Sequence, residues 1–276
     1  MKTKTVRNLI ILCLILGLST AGYAGNLDAF KSQKGSIKIA GGTAHIPVMK
    51  EAAKRIMKIY PDIQISIAGG GSGVGIKQVG EGLTDIGNSG RKATDEEVRK
   101  YGLKMFRWAV DGVGVIVHPE NPVKALTKAQ LRDIFSGKTD NWKLVSGADK
   151  AITVYTRDEA SGTRKVFWKK ALDKGDITQK ANFVVSNGAM KSAVANNPYA
   201  IGYVSAGHID ESVSPVELDD IAPSLDNVKN GKYTVARGLY SNTKGDPAGL
   251  IKIFIDYLFT PEGQKIVQEK GFIPVK

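Results

Sequence analysis

The chain alternates short apolar strands with amphipathic helices from residue 37 onward. Residues 37–40 (IKIA) form an apolar strand that runs into the turn residues Gly41, Gly42 and Thr43. Over 47–60, Met49, Ala52, Ala53, Ile56 and Ile59 recur at helical spacing, with Pro47 in the first turn and Pro61 as the stop. Ile63, Ile65 and Ile67 then alternate with polar neighbours, the period of a half-buried strand. The glycine run GGGSGVG at 69–75 leads into a helical IKQVGEGL, and DIGNS at 85–89 predicts a strand ending in a loop. Residues 110–118 and 201–204 read as strands, and 126–135, 163–172 and 246–259 as helices. A further helix starts at Thr260, with Pro261 in its first position. This alternation predicts an α/β protein with mostly parallel sheets. No linker rich in Pro, Gly or Ser divides it, so a chain of two domains must cross between them more than once.

The N-terminus changes the picture. Lys2, Lys4 and Arg7 precede an apolar run at 9–18 and a small-residue exit at Gly22, Tyr23 and Ala24. That is a secretory signal over 1–24, cleaved after Ala24, which makes the protein periplasmic or otherwise extracytoplasmic. The run is well short of the roughly 20 residues a membrane-spanning helix needs. The only cysteine, Cys13, lies inside it and follows Leu12, which is not small, so lipidation is not expected. The exported chain then has no cysteine for a disulfide and depends on its core. The formal net charge is +12, but the basic residues are spread along the whole chain and not gathered in an arm or stripe, which argues against nucleic acid; charge alone does not choose among anionic partners.

Candidate chemistry sits at three loop-to-helix junctions: Gly41-Gly42-Thr43-Ala44, Gly71-Ser72-Gly73, and Arg157 through Thr163. A helix N-terminus presents unpaired N–H groups and positive potential, so it attracts anions. Ser and Thr hydroxyls add donors, glycine allows close approach, and Arg157 adds a fork of donors suited to a tetrahedral oxyanion. Asp85 is the odd member. A carboxylate beside the ligand could accept the proton that hydrogen phosphate carries and sulfate lacks, which would select phosphate. Each turn taken alone is more often an ordinary cap; it is their combination that points to a site.

In order, GGTAHIP, GGGSGVGIKQV, TDIGNSGRKATDEE, RDEASGTRKVF, AIGYVS and FTPEGQKIVQEKGFIPV resemble the phosphate-binding proteins of bacterial ABC importers, the PstS-type group. The resemblance implies a type II periplasmic-binding-protein fold: two α/β domains joined by two crossover strands, with the ligand cleft between them. It places the crossings near 110–117 and 201–204. Domain 1 then comprises 25–113 plus 205–276, and domain 2 comprises 114–204. By position it implies phosphate contacts from Thr43, Ala44, Ser72, Asp85, Arg157, Ser161, Gly162 and Thr163. Glu159 supports Arg157, and Ser89 stands in for a serine that Gly90 replaces ahead of Arg91. The partners implied are inorganic phosphate and the permease subunits of an importer; the protein is expected to be a monomer, with no cofactor, metal or nucleic acid.

Other readings compete. Arsenate, molybdate or tungstate could occupy a similar site, and a phosphate sensor would share the same sequence features. A secreted phosphatase would need a nucleophile with its base, or a metal cluster. His45, His118 and His208 are too scattered for a metal motif, and GGGSGVG fits neither G-x-S-x-G nor the P-loop. The chain therefore reads as a binding protein and not an enzyme.

Overall fold

The computed structural model describes residues 27–275. The secretory signal expected at 1–24, with Cys13, lies outside the described residues.

Strand β1 (Gly35–Gly41) leads through a 3-10 turn at Thr43–His45 into α1 (Ile46–Ile59). Strand β2 (Ile63–Gly70) leads into α2 (Ser72–Gly80), and β3 (Ile86–Ser89) precedes α3 (Asp95–Tyr101). β1 pairs in parallel with β2 (Ile37 opposite Ile65) and with β3 (Ile39 opposite Ile86). The C-terminal ends of these strands and the N-termini of α1 and α2 therefore share one edge, where open α/β sheets bind their ligands.

The chain continues through the long β4 (Leu103–Val117), β5 (Ala125–Leu126), α4 (Lys128–Ser136), β6 (Thr153–Thr156) and α5 (Gly162–Lys170). Next come β7 (Asn182–Phe183), α6 (Asn187–Ala195), β8 (Ala200–Ser205), β9 (Ser214–Leu218) and α7 (Leu225–Lys229). It closes with β10 (Ala236–Lys244), α8 (Gly249–Tyr257), α9 (Pro261–Glu269) and β11 (Ile273–Pro274). One half of β4 pairs antiparallel with β10, from Leu103–Lys244 to Gly112–Ala236. The other half pairs with β8 and β9, Val113 opposite Ser205 and Val115 opposite Val216. β4 thus belongs to both lobes, and the strand order β2-β1-β3-β10-β4-β8-β6-β7 runs through it. The sheets are mixed, not mostly parallel, because β4 meets β8, β9 and β10 running the other way.

Each lobe has its own core. Ile37, Met49, Ile86, Trp108, Leu239 and Phe254 fill the first, and Val115, Phe135, Phe167, Tyr203, Val216 and Val235 the second. The expected crossing at 110–117 lies within β4. The one expected at 201–204 does not occur there, because β8 stays in the second sheet. Val213, Val216, Val228, Tyr233 and Val235 also pack in the second core, and the Val113 N–H donates to the Val235 carbonyl (2.8 Å). The chain therefore returns at the start of β10, and the second lobe reaches from about 113 to 235 where 114–204 was expected. The physical reason is that β9 finds its partners only on β4 and β5.

Candidate binding site

Close backbone packing aims the first-lobe loops. Gly41 (φ +118°), Gly75 and the Asn88 carbonyl touch; a Cβ on Gly75 would sit 2.9 Å from the Gly41 Cα. α2 can therefore rest directly on the ends of β1 and β3. Gly71 (φ +91°) turns the chain, its N–H donating to the Gly41 carbonyl (3.0 Å). Ser72 is thereby brought over the end of β3, where its Oγ accepts from the Gly90 N–H (2.9 Å).

From the second lobe, Arg157 leaves the end of β6, and its backbone N–H donates to the Tyr203 hydroxyl (3.1 Å). Burial pushes the Tyr203 phenol up to about 12, so it keeps its proton, and its hydroxyl shares a hydrogen bond with Thr156 Oγ1 (2.9 Å). Ser161 caps α5 by accepting from the Arg164 N–H (3.1 Å). The lobes touch across the cleft: the Gly73 N–H donates to the Ala160 carbonyl (3.0 Å), and Asn187 bonds to Thr43.

A small cavity of about 10 Å³ lies between them, lined by Gly42, Thr43, Ala44, His45, Gly71, Ser72, Gly90, Arg157, Ser161, Gly162, Thr163 and Arg237. That is below the roughly 300 Å³ at which drug-sized pockets begin, so the site suits a compact ion. A larger hollow of about 410 Å³, lined in part by Glu159, Arg164, Lys165 and Trp168, opens elsewhere on the surface and has no comparable convergence of buried donors.

Hydrogen bonding fixes how the wall presents itself. Thr43 Oγ1 accepts from the Asn187 N–H (3.2 Å) and Nδ2 (3.0 Å). Thr163 Oγ1 accepts from Arg237 Nη2 (3.0 Å) and Asn187 Nδ2 (3.4 Å). Ser72 and Ser161 each accept from a backbone N–H. A hydroxyl whose oxygen already accepts still has its proton to give. All these hydroxyls can therefore donate into the cavity, beside the first-turn N–H groups of Gly162 and Thr163, which have no partner in the helix.

Arg157 carries the charge. It is 1% exposed, and only its Nη2 is engaged by the protein, donating to the Val185 carbonyl (3.0 Å). Nε and Nη1 are buried without a protein acceptor, and among the described residues no carboxylate pairs with the guanidinium. Burial lowers its pKa, yet an arginine stays charged at any ordinary pH. The second guanidinium, Arg237, is neutralised by Asp111: Nε and Nη2 both lie 2.8 Å from Oδ2. Asp111 Oδ1 accepts from Ser205 Oγ (2.9 Å) and the Ala206 N–H (3.2 Å), which completes its shell. Burial pushes the Asp111 pKa up, and the Arg237 guanidinium, with both nitrogens on Oδ2, opposes that. The wall thus keeps one uncompensated positive charge. Burial, and next the field of Arg237, lower His45 to about 3, so its imidazole is neutral.

The structure brings Thr43, Ala44, Ser72, Arg157, Ser161, Gly162 and Thr163 to this cavity. It does not bring Asp85. That carboxylate accepts from the Lys38 N–H (2.7 Å) at the beginning of β3, while the cavity lies at the other end, past Ser89. Four strand residues separate them, on the order of 13 Å. Glu159 is exposed and forms no ion pair with Arg157. Arg91 makes two 2.7 Å bonds to Glu97, pulling that carboxyl to about 2, and so braces the start of α3. Ser89 donates to the Arg91 carbonyl (2.9 Å) and accepts from Asn242 (2.9 Å), beneath the loop and not on the wall. Sequence reasoning missed Arg237, Asp111 and Asn187. Asp111 gave a signal, as a charge inside the otherwise apolar run 108–117, a position that demands a buried partner.

Two lobes hinged on a shared strand around a buried, donor-lined cleft define the periplasmic-binding-protein class. The PBP superfamily domain matches residues 28–262. The chain is 36% identical to the phosphate-binding protein PstS of Bacillus subtilis over 99% of its own length and 95% of that protein's. It also matches the crystal structure of a putative phosphate ABC transporter substrate-binding protein with bound phosphate from Clostridium perfringens. There the identity is 37% and the TM-score 0.82, covering 88% of this chain and all of the other. An ABC-type phosphate transport receptor from Vibrio cholerae follows at 32% and 0.69, covering 86% and 99%. The chain belongs to the PstS-type family of solute-binding proteins.

Proposed function

We propose that this protein captures inorganic phosphate in the cleft and passes it to the membrane subunits of an ABC importer. The observation that carries the reading is Arg157: a buried guanidinium with Nε and Nη1 free, ringed by hydroxyls that already accept from the protein. Leaving such a charge unpaired is costly, so the pocket is complementary to an anion. The relatives named for phosphate support that anion, and Thr43, Ala44, Ser72, Arg157, Ser161, Gly162 and Thr163 are its proposed contacts. Binding that touches both lobes favours the closed arrangement over the open one.

In this reading the protein acts outside the cytoplasm, after removal of the segment 1–24, and does no chemistry on its ligand. Among the described residues no helix is long and apolar enough to cross a membrane. Calorimetric titration of ligand-stripped protein with phosphate tests the proposal. One-to-one binding that Arg157→Met weakens by about 2–5 kcal/mol is the expected result. Equal binding by the variant would remove Arg157 from the site, and no binding by the parent protein would remove the function.

A further inference from the structure

We infer that Arg237 is a further phosphate ligand, admitted to the wall of the cleft by Gly90. The inference rests on the phosphate reading above and adds a contact to it.

Three side chains on this wall keep nitrogens that hydrogen-bond to nothing else among the described residues: Arg157 at Nε and Nη1, His45 at Nε2, and Arg237 at Nη1. The neutral His45 ring spends its Nδ1 proton on the Gly42 carbonyl (3.0 Å), which leaves Nε2 an acceptor. Such an atom can take only a proton that the ligand brings, whereas Arg237 Nη1 can only donate. The charge of Arg237 is offset by Asp111, but its donors are not all used. A guanidinium holds five N–H bonds in one plane. The edge formed by Nε and Nη2 faces Asp111 Oδ2, 2.8 Å from each nitrogen. The other Nη2 proton goes to Thr163 Oγ1 (3.0 Å). Planarity then fixes Nη1, because its nearer N–H runs parallel to that Nη2 bond, toward the Thr163 side of the cavity.

Gly90 makes the room. A Cβ there would stand 2.6 Å from Nη1, 2.9 Å from Cζ and 3.2 Å from Nε, so the guanidinium lies flat on the glycine. Any side chain at this position would push the fork off the wall. The loop itself is held, since the Gly90 N–H donates to Ser72 Oγ (2.9 Å). Asp111 is held in turn by Ser205 Oγ and the Ala206 N–H, so the donor is positioned before the ligand arrives. A donor fixed in advance loses little freedom on binding. Because Asp111 offsets the charge, Nη1 contributes direction, and the attraction is left to Arg157. Arg237 lies at the start of β10, where the chain returns to the first lobe. Through it the ligand touches the hinge strand as well as the loops of both lobes.

The test is calorimetric titration with inorganic phosphate of the full exported chain and of Arg237→Lys, Gly90→Ala and the double variant, each checked for folding by urea unfolding. Lysine still places a cation on Asp111 but has no Nη1. Loss of a hydrogen bond to a charged group should weaken phosphate about 10- to 150-fold in either single variant. The double variant should bind within about threefold of the weaker single one, because the added methyl acts through the guanidinium. Thr163→Val separates contact from positioning: with that hydroxyl gone, Arg237→Lys should still weaken phosphate about tenfold or more. Binding by Arg237→Lys within about twofold of the parent would overturn the inference. So would losses that multiply in the double variant, since the methyl would then be blocking the cavity by itself. No further loss in the Thr163→Val background would reduce Arg237 to orienting Thr163 and overturn it as well. If Arg237→Lys does not fold, Arg237→Gln combined with Asp111→Asn, which strands no charge, takes its place with the same outcomes. A parent protein that does not bind phosphate would remove the proposed function, which none of the variant results touches.

Discussion

Asn187 reaches across the cleft and places two donors, its backbone N–H (3.2 Å) and its Nδ2 (3.0 Å), on the hydroxyl of Thr43. Its Oδ1 meanwhile accepts from the Ser205 N–H (3.0 Å), which ties the clamp to the end of β8. One side chain thus links the first-lobe ligand loop to the second-lobe sheet and orients the Thr43 proton. Asn187→Ala removes the side-chain bonds and leaves the buried Ser205 N–H unsatisfied. A loss of about 2–3 kcal/mol in the closed state is expected, weakening phosphate roughly 30- to 150-fold in calorimetry. Small-angle scattering should show the variant more open in the absence of phosphate.

Arg157→Met should separate binding from stability. The guanidinium is buried with no counter-ion, so exchanging it for an apolar side chain of similar length relieves a desolvation cost in the unliganded protein. Thermal unfolding without phosphate should show a midpoint at or above that of the parent. The parent alone should gain stability on adding phosphate, by mass action.

Arg237 and Asp111 behave in the opposite way. Arg237→Met strands a carboxylate that is 0% exposed, at a cost of about 3–5 kcal/mol in urea unfolding. Adding Asp111→Asn to that variant should restore part of the loss. A double variant no more stable than the single one would mean that the pair is not what holds β4 to β10 at the hinge.

Asp85→Asn should leave phosphate and sulfate affinities within about twofold of the parent, since an amide oxygen can still accept from the Lys38 N–H. A changed ratio of the two affinities in calorimetry would return Asp85 to the site.

Stability should fall as the solution is acidified below neutral. His45 and His208 are held near 3 and near 4, chiefly by burial, against an ordinary value near 6.5. Below about 6.5 the unfolded chain takes up protons that the folded one refuses, so stability drops from there down to the folded values. The carboxyls of Glu97 and Asp210, held near 2 by Arg91 and Lys191, add their loss only under more acidic conditions. The decline between about pH 6.5 and 5 therefore belongs to the histidines, and His45→Phe should flatten it in thermal melts.

Several features were legible along the chain because their causes are local. The helical spacing of Met49, Ala52, Ala53 and Ile56 became α1 within a residue of its expected ends. Gly41, Gly71, Ser72, Ser161 and Thr163 announced the loop-to-helix junctions, since turn geometry and capping are decided by near neighbours. Asp85 and Glu159 misled for a related reason. Each stands close in sequence to ligand-loop residues, yet a strand carries its two ends apart and a turn can point a side chain outward. What the sequence by itself determined, then, was the α/β alternation, the donor-rich loops and the family pattern. Only the tertiary structure decided that Arg237 neutralises Asp111 across 126 residues, that Asn187 orients Thr43 across 144, and that the Arg157 guanidinium faces the cleft without an ion pair among the described residues. Charge balance in a buried cleft depends on which groups meet in space, and residue spacing along the chain does not encode that.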